Sequence, residues 1–350
     1  MAAQRVTIAT VAQRAGRSIS TVSAALNGAP GVSPTTRESI LRAAAELGYT
    51  ADPRARLLRA RHTGVIGVSY VAGQAFQLEL VDGLYRAAEI SGHRLSLAAA
   101  TRRHSEGAGL DGLVHDRSEG VVVVDTRLPF EELHERTGGL PLIVLCREPP
   151  APGVDAVRSD DAAGVRALVT HLVTSGRSDV VHVDGGDASC SELRAGAFRL
   201  AMAERGLPGR VVPGGEDEAS GIAAVRDLAE RGPLPQVLAL YNDHAALGAL
   251  LELRRRGVRV PEDVALTGFD GIPVTGLSAV DLTTVRQRLD VIAEVAMNRM
   301  LGRIGCDPER DEPPLPEGVA REPGEAGAEV FTVVPELVVR GSTVPTGSSA

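Results

Sequence analysis

The sequence predicts a small all-α helix-turn-helix head followed by a larger α/β body of two lobes with parallel sheets. Three observations carry that prediction. Charge divides unevenly along the chain, the first 48 residues fall into three short capped apolar runs, and from Gly64 onward strand-like apolar runs alternate with helical segments. The 350 residues leave room for two or three domains, at roughly 100–200 residues each.

With 43% hydrophobic and 23% charged residues the chain is not disordered as a whole. No run of about 18 apolar residues offers a membrane span. The opening residues lack the charged and apolar regions of a signal peptide, so a cytoplasmic protein is expected. Cys146, Cys190 and Cys306 are far apart and form no C-x-x-C, which points to plain thiols and to no metal or cofactor. The net charge of −8 conceals a division. Through His62 nine arginines face Glu38, Glu46 and Asp52, a balance of +6, so the remainder carries −14. All 37 basic residues are arginine. A basic head on an acidic body points to nucleic acid at one end only.

In the head, Thr7 is the expected cap of a helix carrying Ile8, Val11, Ala12 and Ala15, with Gly16 as its stop. Ser18 caps a second helix, Ile19 to Leu26, that turns Val22, Ala25 and Leu26 inward. Ser33 and Pro34 open a third, with Ile40, Leu41, Ala44 and Leu47 as its stripe before Gly48. The three-residue turn between the first two helices is helix-turn-helix spacing. Composition and spacing alone fit an all-α interaction domain equally well. Asp52-Pro53 then opens Arg54 to Arg61, a run that reads as either a basic linker or a helix.

In the body, Val65–Val68, Leu95–Leu97, Val121–Val124 and Leu142–Leu145 form one series of short strands. Val180–Val183, Val237–Leu240 and Val264–Thr267 form a second. Continuous apolar strands between helices signal parallel sheets covered on both faces, hence two lobes. Ligands gather beyond the carboxyl ends of such strands, so the lobes are expected to share one cleft.

The wording of the head, Thr7-Ile8-x-x-Val11-Ala12-x-x-Ala15-Gly16-x-Ser18-x-x-Thr21-Val22-Ser23-x-x-Leu26-Asn27-Gly28, resembles the DNA-binding head of the lactose-repressor (LacI/GalR) family. Tyr241-Asn242-Asp243-x-Ala245-Ala246-Leu247-Gly248, Gly268-Phe269-Asp270-Gly271 and Pro335 to Thr343 resemble its periplasmic-binding-protein-like body. The resemblance implies a transcriptional regulator, a repressor in most such proteins. It would be a homodimer on a palindromic double-stranded DNA operator, under control of a small-molecule effector.

Residue by residue, the resemblance lays Ser18 to Leu26 in the major groove, with Ile19 and Ser20 facing bases and Thr7, Thr21, Ser23 and Asn27 near phosphates or bracing the helix. Ala24 stands where an arginine or histidine is common, which shifts specificity toward Arg17, the flanks and DNA shape. Arg54 to Arg61 would be a hinge helix ordering in the minor groove. There Leu58 is the wedge, Ala55 lies at the groove floor, and Arg54, Arg56 and Arg59 face phosphates. In the cleft the resemblance assigns Arg194, Phe198, Asn242 and Asp270, with Arg147 after the fourth strand and Phe76 as the stacking ring. That set suits a sugar or related polyol. Cys146 replaces a common aspartate, and Gly73 to Gln77 replaces an aromatic-rich turn.

The expected boundaries are 1–50 for the head, 51–63 for the hinge and 64–345 for the body. The first lobe would take about 64–157 and 286–309, and the second about 158–284 and 330–345. Residues 306–329, with eight acids and five prolines, read as an acidic loop. The ending Thr346 to Ala350 shows no counterpart of the family's tetramer-forming helix. An enzyme is the first rival: Gly107 to Gly112 fits the dinucleotide fingerprint, but polar Arg102 to Glu106 separate it from the preceding strand. A periplasmic binding protein is the second, opposed by the basic head.

Overall fold

In a computed structural model of the chain, residues 6–26, 31–49, 62–147, 152–305 and 313–344 are described. The chain divides into two compact units, Met1–Thr63 and Gly64–Ala350. Asn27 and the proposed hinge residues Arg54, Ala55, Arg56, Leu58 and Arg59 lie outside the described residues.

The first unit is the three-helix head. Helix α1 (Ile8–Ala15) starts at Thr7, whose hydroxyl accepts from the Thr10 backbone N–H, and stops at Gly16 with φ of 62°. Helix α2 (Ile19–Leu26) is capped by Ser18, which accepts from the Thr21 N–H at 3.2 Å. Helix α3 (Pro34–Glu46) starts at Ser33 with Pro34 in its first turn. Val11, Ala12, Val22, Ala25, Ile40 and Ala44 form the core. Leu41 does not join it and is 48% exposed. The inward stripe takes Ala43 in its place, because Leu41 lies about 100° around the helix from Ile40.

The second unit holds two sheets. The first lobe runs β1 (Val65–Val71), α4 (Ala75–Ser91), β2 (Arg94–Ala100), α5 (Glu106–His115), β3 (Gly120–Val124), α6 (Phe130–Thr137), β4 (Leu142–Leu145) and β5 (Asp155–Ser159). It is completed by α11 (Leu289–Ile304), β11 (Val319–Pro323) and β12 (Glu329–Val333). The sheet order is β11-β12-β5-β4-β3-β1-β2. Strand β3 is buried throughout, and its valines alternate. Val122 and Val124 pack with α4 and α11, Val121 and Val123 with α5 and α6.

The second lobe runs α7 (Asp161–Thr174), β6 (Val180–Val183), α8 (Ser191–Ala203), β7 (Arg210–Val212), α9 (Glu218–Arg231), β8 (Val237–Leu240), α10 (Asp243–Arg255), β9 (Ala265–Asp270), β10 (Thr283–Arg286) and β13 (Glu336–Val338). Its sheet order is β13-β10-β9-β8-β6-β7. Helices α9 and α10 meet backbone to backbone. A Cβ at Gly221 would lie 1.9 Å from the Ala245 carbonyl oxygen, and one at Gly248 1.9 Å from that of Glu218. The described chain passes between the sheets three times: after β5, after β10, and between β12 and β13.

Two expectations need correction. Residues 306–329 are not wholly a loop, since Val319–Pro323 pairs antiparallel with β12. Strand β12 in turn pairs parallel with β5, so 330–333 belong to the first sheet and not to the second lobe. Pairing to an existing sheet edge supplies the backbone partners that this Pro-rich, acidic composition concealed. Each sheet therefore carries one antiparallel edge, β11 in the first and β13 in the second.

Candidate functional site

The cleft lies where the carboxyl ends of both sheets face each other, and its floor is charged. Arg194, on α8, is only 5% exposed. Its Nε donates to Asp161 Oδ2 at 2.9 Å and its Nη1 to the Tyr241 carbonyl at 2.8 Å, while Nη2 lies 3.6 Å from Asp270 Oδ1. The guanidinium is stacked over Phe269 and Tyr241, 3.7 and 4.6 Å from their ring centres. Burial works against its charge, but Asp161, Tyr241 and Asp270 outweigh burial and hold it protonated. A buried cation of this kind persists only with such partners.

The first lobe supplies the opposite wall. Gln74, Phe76, Asp125, Cys146, Arg147, Arg158 and Ser159 face Ser189, Cys190, Glu216, Tyr241, Asn242 and Asp270 across it. The free space between them is about 20 Å³, room for about one water. Asp125, Cys146 and Asp270 adopt positive φ of 47°, 55° and 108°. Such conformations are costly for residues other than glycine and cluster at ligand sites.

Direct bonds close the cleft. The Ser189 hydroxyl donates to Asp125 Oδ1, Arg127 pairs with Glu216, and the Ala75 N–H donates to His244 Nε2 at 3.2 Å. Cys190 Sγ approaches the Cys146 carbonyl at 3.6 Å. Burial raises the Asp125 carboxyl to about 7 and that of Asp270 to about 6. Burial likewise pushes the Cys190 thiol up to about 12 and lifts that of Cys146. Behind Asp270, fully buried Asp243 accepts from the N–H groups of Gly271 and Ile272 at 2.6 and 2.9 Å and from the Thr284 hydroxyl at 2.6 Å. It fixes the turn that aims Asp270.

Five of the six residues expected in the cleft line it: Phe76, Arg147, Arg194, Asn242 and Asp270. Phe198 does not. It is 1% exposed, packed in the second-lobe core and stacked on His182 with ring centres 5.3 Å apart. It shares the face of Arg194 but stands one turn further along α8, about 6 Å from it, which carries the ring away from the cleft and into the core. The four polar ones are all engaged within the protein: beside the Arg194 contacts, Asp270 Oδ1 accepts from Gln287 Nε2 at 2.8 Å, and Asn242 and Arg147 have partners of their own. Asn242 Oδ1 accepts from the Ala245 N–H at 2.9 Å, capping α10, while its Nδ2 donates to the Glu216 carbonyl at 2.9 Å. Arg147 donates to the Leu128 carbonyl at 2.6 Å and lies 4.0 Å from the Phe130 ring centre.

Sequence reasoning missed Asp125, Asp161, Ser159, Gln74 and Glu216. Asp125 carried a usable signal, since it directly follows the Val121–Val124 strand. Ser159 likewise ends β5, and its Oγ is buried without a hydrogen-bond partner.

On the head, Thr7, Arg17, Ser18, Ile19 and Ser20 are exposed, and Thr21 and Ser23 are half-buried. Ile19 stands 48% exposed at the start of α2. The Ser18 hydroxyl lies 2.8 Å from that of Ser20 and 2.7 Å from that of Thr21. The exposed turn thus presents a row of hydroxyls beside one apolar side chain.

Comparison with known proteins agrees with both units. Residues 7–52 match the model of bacterial regulatory proteins of the lacI family, and residues 169–343 match a periplasmic binding protein-like domain. The chain is 30% identical to the HTH-type transcriptional regulator reg1 of Streptomyces lividans, over 96% of each chain. It is 28% identical to the ribose operon repressor of Escherichia coli, over 85% of this chain and 93% of that one. A solved LacI transcriptional regulator from a Rhodococcus species superposes with a TM-score of 0.72 at 30% identity, covering 80% of this chain and 98% of that chain.

Proposed function

Since the chain belongs to the lacI family of bacterial regulatory proteins, we propose that it is a sequence-specific DNA-binding transcriptional repressor whose operator affinity is set by a small molecule in the cleft. The observation that carries this is the pairing, in one chain, of a capped helix-turn-helix head with a two-lobed cleft lined by charged groups. We assign operator contacts to Thr7, Arg17, Ser18, Ile19, Ser20, Thr21, Ser23 and Asn27. We assign further contacts with the same operator to Arg54, Ala55, Arg56, Leu58 and Arg59.

Asp125, Asp270, Gln74 and Ser159 supply hydrogen-bonding groups to the cleft, and Phe76 and Tyr241 supply ring faces. That mixture suits a polyhydroxylated ligand such as a sugar, and the likeness to a ribose operon repressor supports it. The ligand regulates only if it binds the operator-competent and incompetent states with different affinity. We read the protein as a regulator and not an enzyme, cytoplasmic and homodimeric on a palindromic site. Leu78, Tyr85 and Ile90 on α4 and Leu97 on the edge strand β2 expose apolar surface available to a second copy. No described helix is long and apolar enough to cross a membrane.

The test is selection of duplexes from a random pool by the full-length protein. A palindromic consensus is expected, and Ser20→Ala is expected to relax base preference at one position of each half-site. Absence of any consensus sinks the proposal, and an unchanged consensus in the variant removes Ser20 from it.

A further inference from the structure

The cleft is closed by the protein's own side chains, and the two that meet over its mouth come from loops with a shared feature. Arg127 follows β3 in the first lobe, and Glu216 precedes α9 in the second. Their side chains form an ion pair with exposures of 57% and 29%, so the pair stands at the solvent edge, while the Asp125–Ser189 bond lies behind it. Each loop is tied down by a residue of the cleft wall. Arg147 grips the Leu128 carbonyl on the Arg127 side, and Asn242 grips the Glu216 carbonyl on the other.

We infer that Arg127 and Glu216 form a gate through which the effector enters and leaves, and that Arg147 and Asn242 act as positioning residues holding its two halves. A ligand larger than one water cannot occupy about 20 Å³ with the gate shut. Entry therefore requires the pair to part. A ligand that draws Arg147 or Asn242 toward itself loosens the loop that residue tethers. The inference deepens the proposed function and rests on the cleft being the effector site.

Two cysteines make the gate measurable without any effector. Cys146 and Cys190 line the cleft from opposite lobes, and each is 8% exposed. Alkylation by iodoacetamide then reports opening, in full-length protein carrying Cys306→Ser to remove the third thiol. Arg127→Glu or Glu216→Arg alone is expected to speed labelling about threefold to fivefold, the worth of an exposed pair. The doubly exchanged protein, Arg127→Glu with Glu216→Arg, is expected to label at the parental rate. Raising NaCl should speed the parent, whose attraction it screens, and slow the single variants, whose like charges it screens; the parental arm needs no substitution at the gate. Unchanged labelling in the single variants, fast labelling in the exchanged protein, or a salt-insensitive parent each overturns the gate. None of these results depends on DNA, so failure of the gate is separable from failure of the proposed function.

Discussion

At the scale of single residues, the site is organised by which polar atoms are already spent. Arg194 was legible as a cleft residue because the Arg194-x-x-x-Phe198 wording resembles a known pattern. What wording does not reveal is that Asp161, Asp270 and the Tyr241 carbonyl surround its guanidinium. Phe198 shows the reverse failure, since the same wording placed in the cleft a ring that geometry puts in the core. Phe198→Ala is therefore expected to cost about 3–5 kcal/mol in urea unfolding, while Arg194 keeps its partners. Asp125 carries a pH signature. Its folded carboxyl, raised by burial to about 7, binds a proton that the unfolded chain releases near the ordinary aspartate value. Its contribution to stability is thus complete at low pH and lost as pH rises toward and through 7. Asp125→Asn lacks this loss, so its melting temperature should gain on that of the parent between pH 5 and 8. A gap that stays constant across that range contradicts the assignment.

At the scale of elements, the head was legible almost to the residue, because caps and stops are local chemistry. Thr7, Gly16, Ser18, Ser33 and Pro34 stand where the helices begin and end. The strands β3, β4, β6 and β8 were legible for a related reason, since burial on both faces demands apolar runs, broken here only by His182 in β6. Strands β10 to β13 were not. Thr283–Arg286 is polar at three of its four positions, Glu336–Val338 has three residues, and the β11–β12 hairpin owes its form to a distant edge at β5. Pairing of that kind is a tertiary fact with little local signal. The contact of α9 with α10 is similarly silent in sequence and easily tested. Gly248→Ala forces a methyl group into the Glu218 carbonyl, and differential scanning calorimetry should show a destabilisation of at least about 1–3 kcal/mol. A neutral result means the helices stand further apart.

At the scale of the molecule, the net charge of −8 misleads until it is divided into a head and hinge of +6 and a body of −14. The division locates DNA binding at one end and leaves the body free to sense a ligand. Two lobes joined by three crossings give that body a hinge axis, and Ser159 and Gln287 sit at two of the crossings while lining the cleft. Under the proposed function a ligand there would touch residues at two of the crossings, and linkage requires its preference between states to appear as a change in operator affinity. The most direct test is fluorescence anisotropy of the full-length protein on its selected duplex, at fixed salt, with and without a panel of pentoses, hexoses, disaccharides and a small-molecule cell extract. A change in Kd of about tenfold or more for at least one of these, about 1.4 kcal/mol of coupling, is the expected result. A Kd that stays the same across the whole set contradicts effector control of DNA binding.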